Sequence, residues 1–241
     1  SKNVFDWIQA TWPNAKHQYV NGAASASDVS YFASCVYRHC PVTADVVFLE
    51  HSINTEPGQR ALASMERLVR RLLSRALTAR NPLPPAVLML HWFDNWTGER
   101  AVSKKATLFK RPNGLHSNEH RWDSTAEPDF NVVAQYYDIP SLSARNALFH
   151  ADAADEPGFR CSGFCENWNH PNRHGHALMS DIAISFIMQV ATSASARADG
   201  ESNSKHARRL HQDHQLPAAL MVPGNDFLEE RCYIGKTFPP L

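Results

Sequence analysis

Apolar residues along the chain switch between two periods, and the switches mark out alternating helices and strands. Val4, Phe5, Trp7, Ile8 and Trp12 recur near helical spacing until Pro13-Asn14 ends the run, which predicts a helix over 4–12. Residues 17–20 read as a short strand leading into a turn of small residues, Asn21-Gly22-Ala23-Ala24. Ser27-Asp28 caps a second helix over 29–39, whose Val29, Phe32, Ala33 and Val36 share one face. Residues 44–50 are a nearly continuous apolar run of strand length, the pattern of a strand covered on both faces, and they end in His51-Ser52-Ile53-Asn54.

From 58 to about 79 the pattern is that of a long amphipathic helix. Leu62, Met65, Leu68, Val69, Leu72, Leu73 and Ala76 point inward, and Arg60, Arg67, Arg70, Arg71 and Arg75 form a solvated outer face. Asn81-Pro82-Leu83-Pro84-Pro85 closes it, and 86–90 is a second buried strand. Residues 94–125 are a polar excursion that turns at Pro112-Asn113-Gly114. Beyond it come a helix over 128–137, a brief strand over 138–140, a short helix over 141–148 and a strong helix over 176–191.

This alternation predicts an α/β fold: a parallel sheet with helices on both sides, a three-layer α/β/α sandwich of flavodoxin-like type. The α/β domain covers 1–191, a Ser/Ala-rich linker covers 192–215, and 216–241 is a C-terminal extension or the start of a further β region. Ligands of such sheets bind beyond the carboxyl ends of the strands.

Composition narrows the class. With 241 residues and 43% hydrophobic content the chain can bury one sizeable core. Its formal charge is zero with dispersed basic residues, which argues against a nucleic-acid partner. No unbroken run of about 18 apolar residues occurs, so no transmembrane segment is expected. The first residues read as the inside of a helix, so the chain is expected to begin mid-domain.

Cys35 and Cys40 sit together, Cys161 and Cys165 sit together, and Cys232 is left over. This suits disulfides in an oxidising compartment, with buried reduced thiols as the alternative. Asn95-Trp96-Thr97 is a glycosylation acceptor at Asn95. Both lean towards a secreted or lumenal protein.

The stretch richest in chemistry is Cys161-Ser-Gly-Phe-Cys165-Glu166-Asn167-Trp168-Asn169-His170-Pro171-Asn172-Arg173-His174-Gly175-His176. A histidine before a proline, on a loop stapled by cysteines and ahead of a helix, is where a fold holds a base fixed and half exposed. The plainer reading is a polar loop capped by Asn172, with Gly175 admitting a close approach of chain to chain. A metal site of His170, His174 and His176 lacks a fixed fourth ligand, so neither metal nor cofactor is expected.

Taken in order, these stretches resemble the SGNH or GDSL hydrolase superfamily, most closely its uncharacterised fungal and algal members. Asn21-Gly22-Ala23 resembles the second block, which implies that the Gly22 amide helps form an oxyanion hole. Phe48-Leu49-Glu50-His51-Ser52-Ile53-Asn54 resembles the third, with Asn54 as a side-chain oxyanion donor. Asp138-Ile139-Pro140-Ser141-Leu142-Ser143-Ala144-Arg145 is similar to a connecting segment, and His170-Pro171-Asn172-Arg173-His174-Gly175-His176 is similar to the fifth block, with His170 as catalytic base.

Two departures stand beside these matches. No Gly-Asp-Ser nucleophile segment occurs in the sequence, so the fold is expected to lack its first strand. Asn167 stands where the family has an aspartate that orients the histidine; in serine proteases that exchange costs about 10⁴ in turnover. Glu166 is the neighbouring candidate to replace it.

The resemblance implies a secreted serine-type esterase acting on a carbohydrate or lipid ester, given an upstream nucleophile. Its partner would then be an ester-bearing small molecule or glycan, with Trp92, Trp96 and Trp168 available to stack on sugar rings or, alternatively, to anchor loops. The other expectation is a catalytically degenerate member kept as a carbohydrate-binding or assembly protein.

Overall fold

The computed structural model describes residues 2–74, 84–93, 125–154, 156–159, 161–166, 170–198, 216–221 and 232. In chain order the elements are α1 (Lys2–Thr11), α2 (Val29–His39), β1 (Val46–Leu49), α3 (Gln59–Leu73), β2 (Ala86–His91), α4 (Glu127–Tyr136), β3 (Ser141–Ser143), α5 (Ala144–Ala153), α6 (Cys161–Phe164) and α7 (Arg173–Ala198). The strands form one parallel sheet in the order β1-β2-β3, with Val47 opposite Val87 and Leu90 opposite Leu142.

Successive side chains of a strand point to opposite faces, and here each face has its own helices. Val47, Leu49, Val87 and Met89 pack with Phe32 and Val36 of α2, Leu68 and Leu72 of α3, and Phe130 and Val133 of α4. On the other face Phe48, Leu90 and Leu142 meet Val4 and Ile8 of α1 and Met179, Ala183 and Ile187 of α7. This is the expected three-layer α/β/α arrangement. Leu68 and Leu72 are wholly buried, so truncating either to alanine costs about 2–5 kcal/mol.

Several local expectations are corrected. Residues 17–20 pair with no strand among the described residues; Tyr19 instead lays its ring 5.4 Å from that of Phe5 on α1. The third strand is Ser141–Ser143 rather than 138–140, because Asp138 takes a positive φ of 54° and Ile139 N–H bonds back to Ala134, closing α4 first. Helix α7 starts at Arg173, since the Asn172 side chain accepts from the N–H groups of His174 and Gly175 at 2.8 and 3.1 Å. It runs on to Ala198, into the stretch expected to be linker; residues 199–215 lie outside those described.

Arg70 and Arg71 do not belong to a solvated face. They are 6% and 3% exposed, because α3 lies between α2 and α4 and is covered on both flanks. Arg71 donates to the Ala33 carbonyl of α2, and Arg70 to the Tyr137 hydroxyl and the Pro217 carbonyl. Glu66, also buried, accepts from the Tyr137 hydroxyl and from the Leu220 and Met221 N–H groups. The described part of the C-terminal extension, 216–221, therefore lies against α3 and α4.

Cys35 is bonded to Cys232, 197 residues away, and not to Cys40, which stays a thiol. Cys35 lies at a kink within α2, with φ −125° and ψ 21°, and Cys40 is the extended residue that caps the helix end. Cys165 is disulfide-bonded as well.

Within α7, residues 173–195 have the length and, with a mean hydropathy of 1.4, the composition that a membrane crossing needs. Asp181, Ser180 and Ser185 interrupt its apolar run, so no unbroken stretch shows in the sequence. In the structure α7 packs on α1, α5 and α6, with Met188 and Val190 exposed.

Candidate functional site

The carboxyl ends of β1 and β2 meet at Ser52. This residue is wholly buried, and its hydroxyl lies 2.8 Å from Glu50 Oε1 and 3.0 Å from the Trp92 carbonyl. Its N–H donates to the same Glu50 oxygen at 3.2 Å, and its carbonyl accepts from Ala126 N–H at 3.0 Å. One serine thus joins the exit of β1, the exit of β2 and the approach to α4. The turn then exposes Asn54, between half-buried Ile53 and buried Thr55.

A second loop approaches from the other side. Cys165 and Pro171 form an antiparallel bridge, and Glu166 N–H donates to the His170 carbonyl at 2.8 Å. Asn172 N–H bonds the Phe164 carbonyl at 3.0 Å, while its side-chain amide reaches the Gly163 carbonyl at 2.9 Å. Residues 165–166 and 170–172 are thereby held against α6, with His170 exposed.

The two loops share a foundation. Trp92, Phe93, Ala144, Leu148 and Phe164 form a buried cluster, with Ile53 packed on it from the β1 turn and Cys165 and Leu178 from the histidine loop and α7. Gly175 is the tightest point: a Cβ there would collide with the Phe164 carbonyl and come within 2.8 Å of Pro171 and 3.1 Å of Trp92. Asn54 and His170 are therefore exposed residues on loops flanking one aromatic cluster at the end of the sheet where ligands bind.

Gly22 lies beside α2. It packs against the backbone of His39 at the carboxyl end of α2, whereas Thr55, beside Asn54, accepts from Val29 N–H at that helix's amino end. Residues 17–24 form no strand among the described residues. Trp92 is no stacking platform. Only 2% exposed, its indole stacks on Phe93 at 4.5 Å and meets Phe164 edge-on, so it anchors the loops. Asn167, Trp168, Asn95 and Trp96 lie outside the described residues. His174 and His176 are exposed on the first turns of α7, and among the described residues no group of three metal-ligating side chains occurs.

Titratable groups surround the site. Burial lowers His51, whose ring sits 4.5 Å from that of Phe32, from 6.5 to about 4. Burial, aided by the Arg145 guanidinium, does the same to His91 at the end of β2. Glu127, wholly buried at the start of α4, pairs with Arg145 at 3.3 Å. Ser52 and the Glu127–Arg145 pair have no sequence signature, since a lone serine and two distant charges carry no pattern. Beside the Asn54 turn, Asp28, Ser30, Thr55, Gly58, Arg60 and Ser64 line a polar cavity of about 300 Å³ at the amino ends of α2 and α3.

Two crystal structures share this architecture. A two-domain esterase (CEX) active on acetylated mannans superposes with a TM-score of 0.59 at 20% identity, covering 78% of this chain and 42% of that one. The same esterase co-crystallised with mannopentaose gives 0.60 and 20%, covering 79% and 43%. At this identity the likeness is one of fold: the chain shares the α/β architecture of part of that two-domain protein. The chain spans less than half the length of these solved structures. No family model matches it, and no curated protein sequence does.

Proposed function

We propose that this chain is part of a secreted carbohydrate esterase that removes acyl groups from a polysaccharide by a serine acyl-enzyme route. The observation that carries the reading is the likeness, over more than three quarters of the chain, to an esterase active on acetylated mannans. Asn54 and His170 on loops that pack on one aromatic cluster through Ile53 and Cys165, and a polar cavity beside Asn54, agree with it.

In this reading His170 takes the proton of a serine contributed from outside these 241 residues as the serine oxygen attacks the ester carbonyl. The oxyanion is held by the Asn54 side-chain amide, such a donor being worth about 3 kcal/mol. Collapse breaks the acyl–oxygen bond, and His170 returns the proton to the departing sugar hydroxyl. Water, deprotonated by His170, then releases the acid and regenerates the serine. Glu166 or Asn167 orients the imidazole. The polar cavity receives the sugar ring next to the ester, and the Cys35–Cys232 disulfide suits an extracellular setting.

The test uses the full-length protein with a fluorophosphonate probe, an aryl acetate and acetylated manno-oligosaccharides. Labelling of one serine, acetate release and a loss of at least about 10³ in kcat for His170→Ala are expected. The second reading, a degenerate SGNH fold that binds glycan, is favoured by the absence of a Gly-Asp-Ser segment and by Asn167. Glycan binding by folded protein that is neither labelled nor active would establish it instead.

A further inference from the structure

We infer that Glu50 is a positioning residue that sets the aim of the Asn54 amide through Ser52, an inference that rests on the reading of Asn54 as an oxyanion donor. Glu50 follows β1 directly. Its Oε1 accepts from both the N–H and the hydroxyl of Ser52, at 3.2 and 2.8 Å, and that hydroxyl also reaches the Trp92 carbonyl at 3.0 Å. The N–H groups of Trp92 and Ile53 further favour the ionised carboxyl. The carboxylate thus gathers donors from residues 52 and 53 and from the neighbouring strand's exit, and residue 54 is the next along the chain.

A turn of this kind is ordinarily closed by a short side chain such as Asn, Asp or Ser. Glu50 does it with a longer side chain: the residue is open to solvent, yet its carboxyl reaches in to buried Ser52, where desolvation raises it above the usual carboxylate range. The rigidity it confers ends at an exposed side chain. Ser52 is wholly buried and Ile53 half-buried on the aromatic cluster, whereas Asn54 is open to solvent at the sheet's carboxyl edge. Oxyanion donors act only when held in place before reaction, and an error of about 1 Å at such a group costs up to about 10²-fold in rate.

The decisive experiment is a double-mutant cycle on the full-length protein, read as kcat and KM for an aryl acetate, with thermal unfolding measured in parallel. Glu50→Gln, and independently Ser52→Ala, are expected to lower kcat by about 10- to 100-fold with KM unchanged. Asn54→Ala lowers it by about 10²- to 10³-fold. If Glu50 acts through Asn54, adding Glu50→Gln to Asn54→Ala brings no further loss in kcat. Additive losses, or a lower melting temperature with unchanged kcat, would overturn the proposal and leave Glu50 a structural brace.

Should the wild-type protein hydrolyse no ester, the functional reading fails, and amide hydrogen exchange judges the brace separately. Faster exchange at Ile53 and Asn54 in Glu50→Gln supports it, and unchanged exchange refutes it.

Discussion

Cys35 on α2 and Cys232 near the end of the sequence are joined by a disulfide that closes a loop spanning 197 residues. In the chain-entropy view, a loop of that length removes enough freedom from the unfolded chain to stabilise the fold by up to about 5 kcal/mol. Reduction, or Cys35→Ser, is expected to lower the melting temperature markedly. A thermal scan with and without reductant checks this, and an unchanged midpoint would contradict it.

The C-terminal strap depends on Glu66. That carboxylate is wholly buried and collects the Tyr137 hydroxyl and two backbone N–H groups, while Arg70 beside it bonds Tyr137 and Pro217. Burial, then the Glu66 carboxylate, raise Tyr137 well above its ordinary value, so it remains a hydroxyl and a donor. Glu66→Leu strands these donors and leaves the Arg70 charge buried, costing about 3–5 kcal/mol in denaturant unfolding. Glu66→Gln keeps one acceptor and is expected to cost less.

Gly175 is expected to be intolerant of any side chain. The Cβ of alanine would meet the backbone of Phe164, which cannot swing away as a side chain can. Gly175→Ala should cost about 1–3 kcal/mol of stability and displace Pro171 and the neighbouring His170. On the proposed function it lowers kcat more than Gly22→Ala does, since Gly22 lies at the carboxyl end of α2.

Two buried histidines set the acid limit of the fold. Burial lowers each from 6.5 to about 4, opposed at His51 by the Asp28 charge and aided at His91 by Arg145, so the folded protein binds fewer protons than the unfolded chain between those values. Stability is therefore fully present above about pH 6.5 and drains away as the pH falls towards 4, by up to about 3 kcal/mol for each histidine. His91→Phe should flatten the acid limb of stability against pH by up to one proton, about 1.4 kcal/mol per pH unit. A slope equal to that of the wild type would show that His91 does not titrate in this window.

Much of the scaffold was legible because its signals are local. The cap at Asp28, the periodicity of Val29, Phe32, Ala33 and Val36, and the apolar runs ending near Glu50 and His91 all involve neighbours in sequence, and α2, β1 and β2 lie close to where those patterns put them. Asn172 as the cap of α7 and Gly175 as a point of close approach were legible in the same way. Arg70 and Arg71 misled because helical periodicity describes one buried face, and α3 has three sides covered by the sheet, α2 and α4.

The amino-acid sequence alone determined the main helices, β1 and β2, the parallel α/β class and the placing of Asn54 and His170 on loops, since hydrophobic period and caps act within a few residues. Only the tertiary structure decided that Cys35 pairs with Cys232, that Gly22 stays at the far end of α2, and that Ser52 locks two strand exits together. Those relations join groups far apart in the chain, and they are selected by which surfaces exclude water together, a choice no local pattern contains.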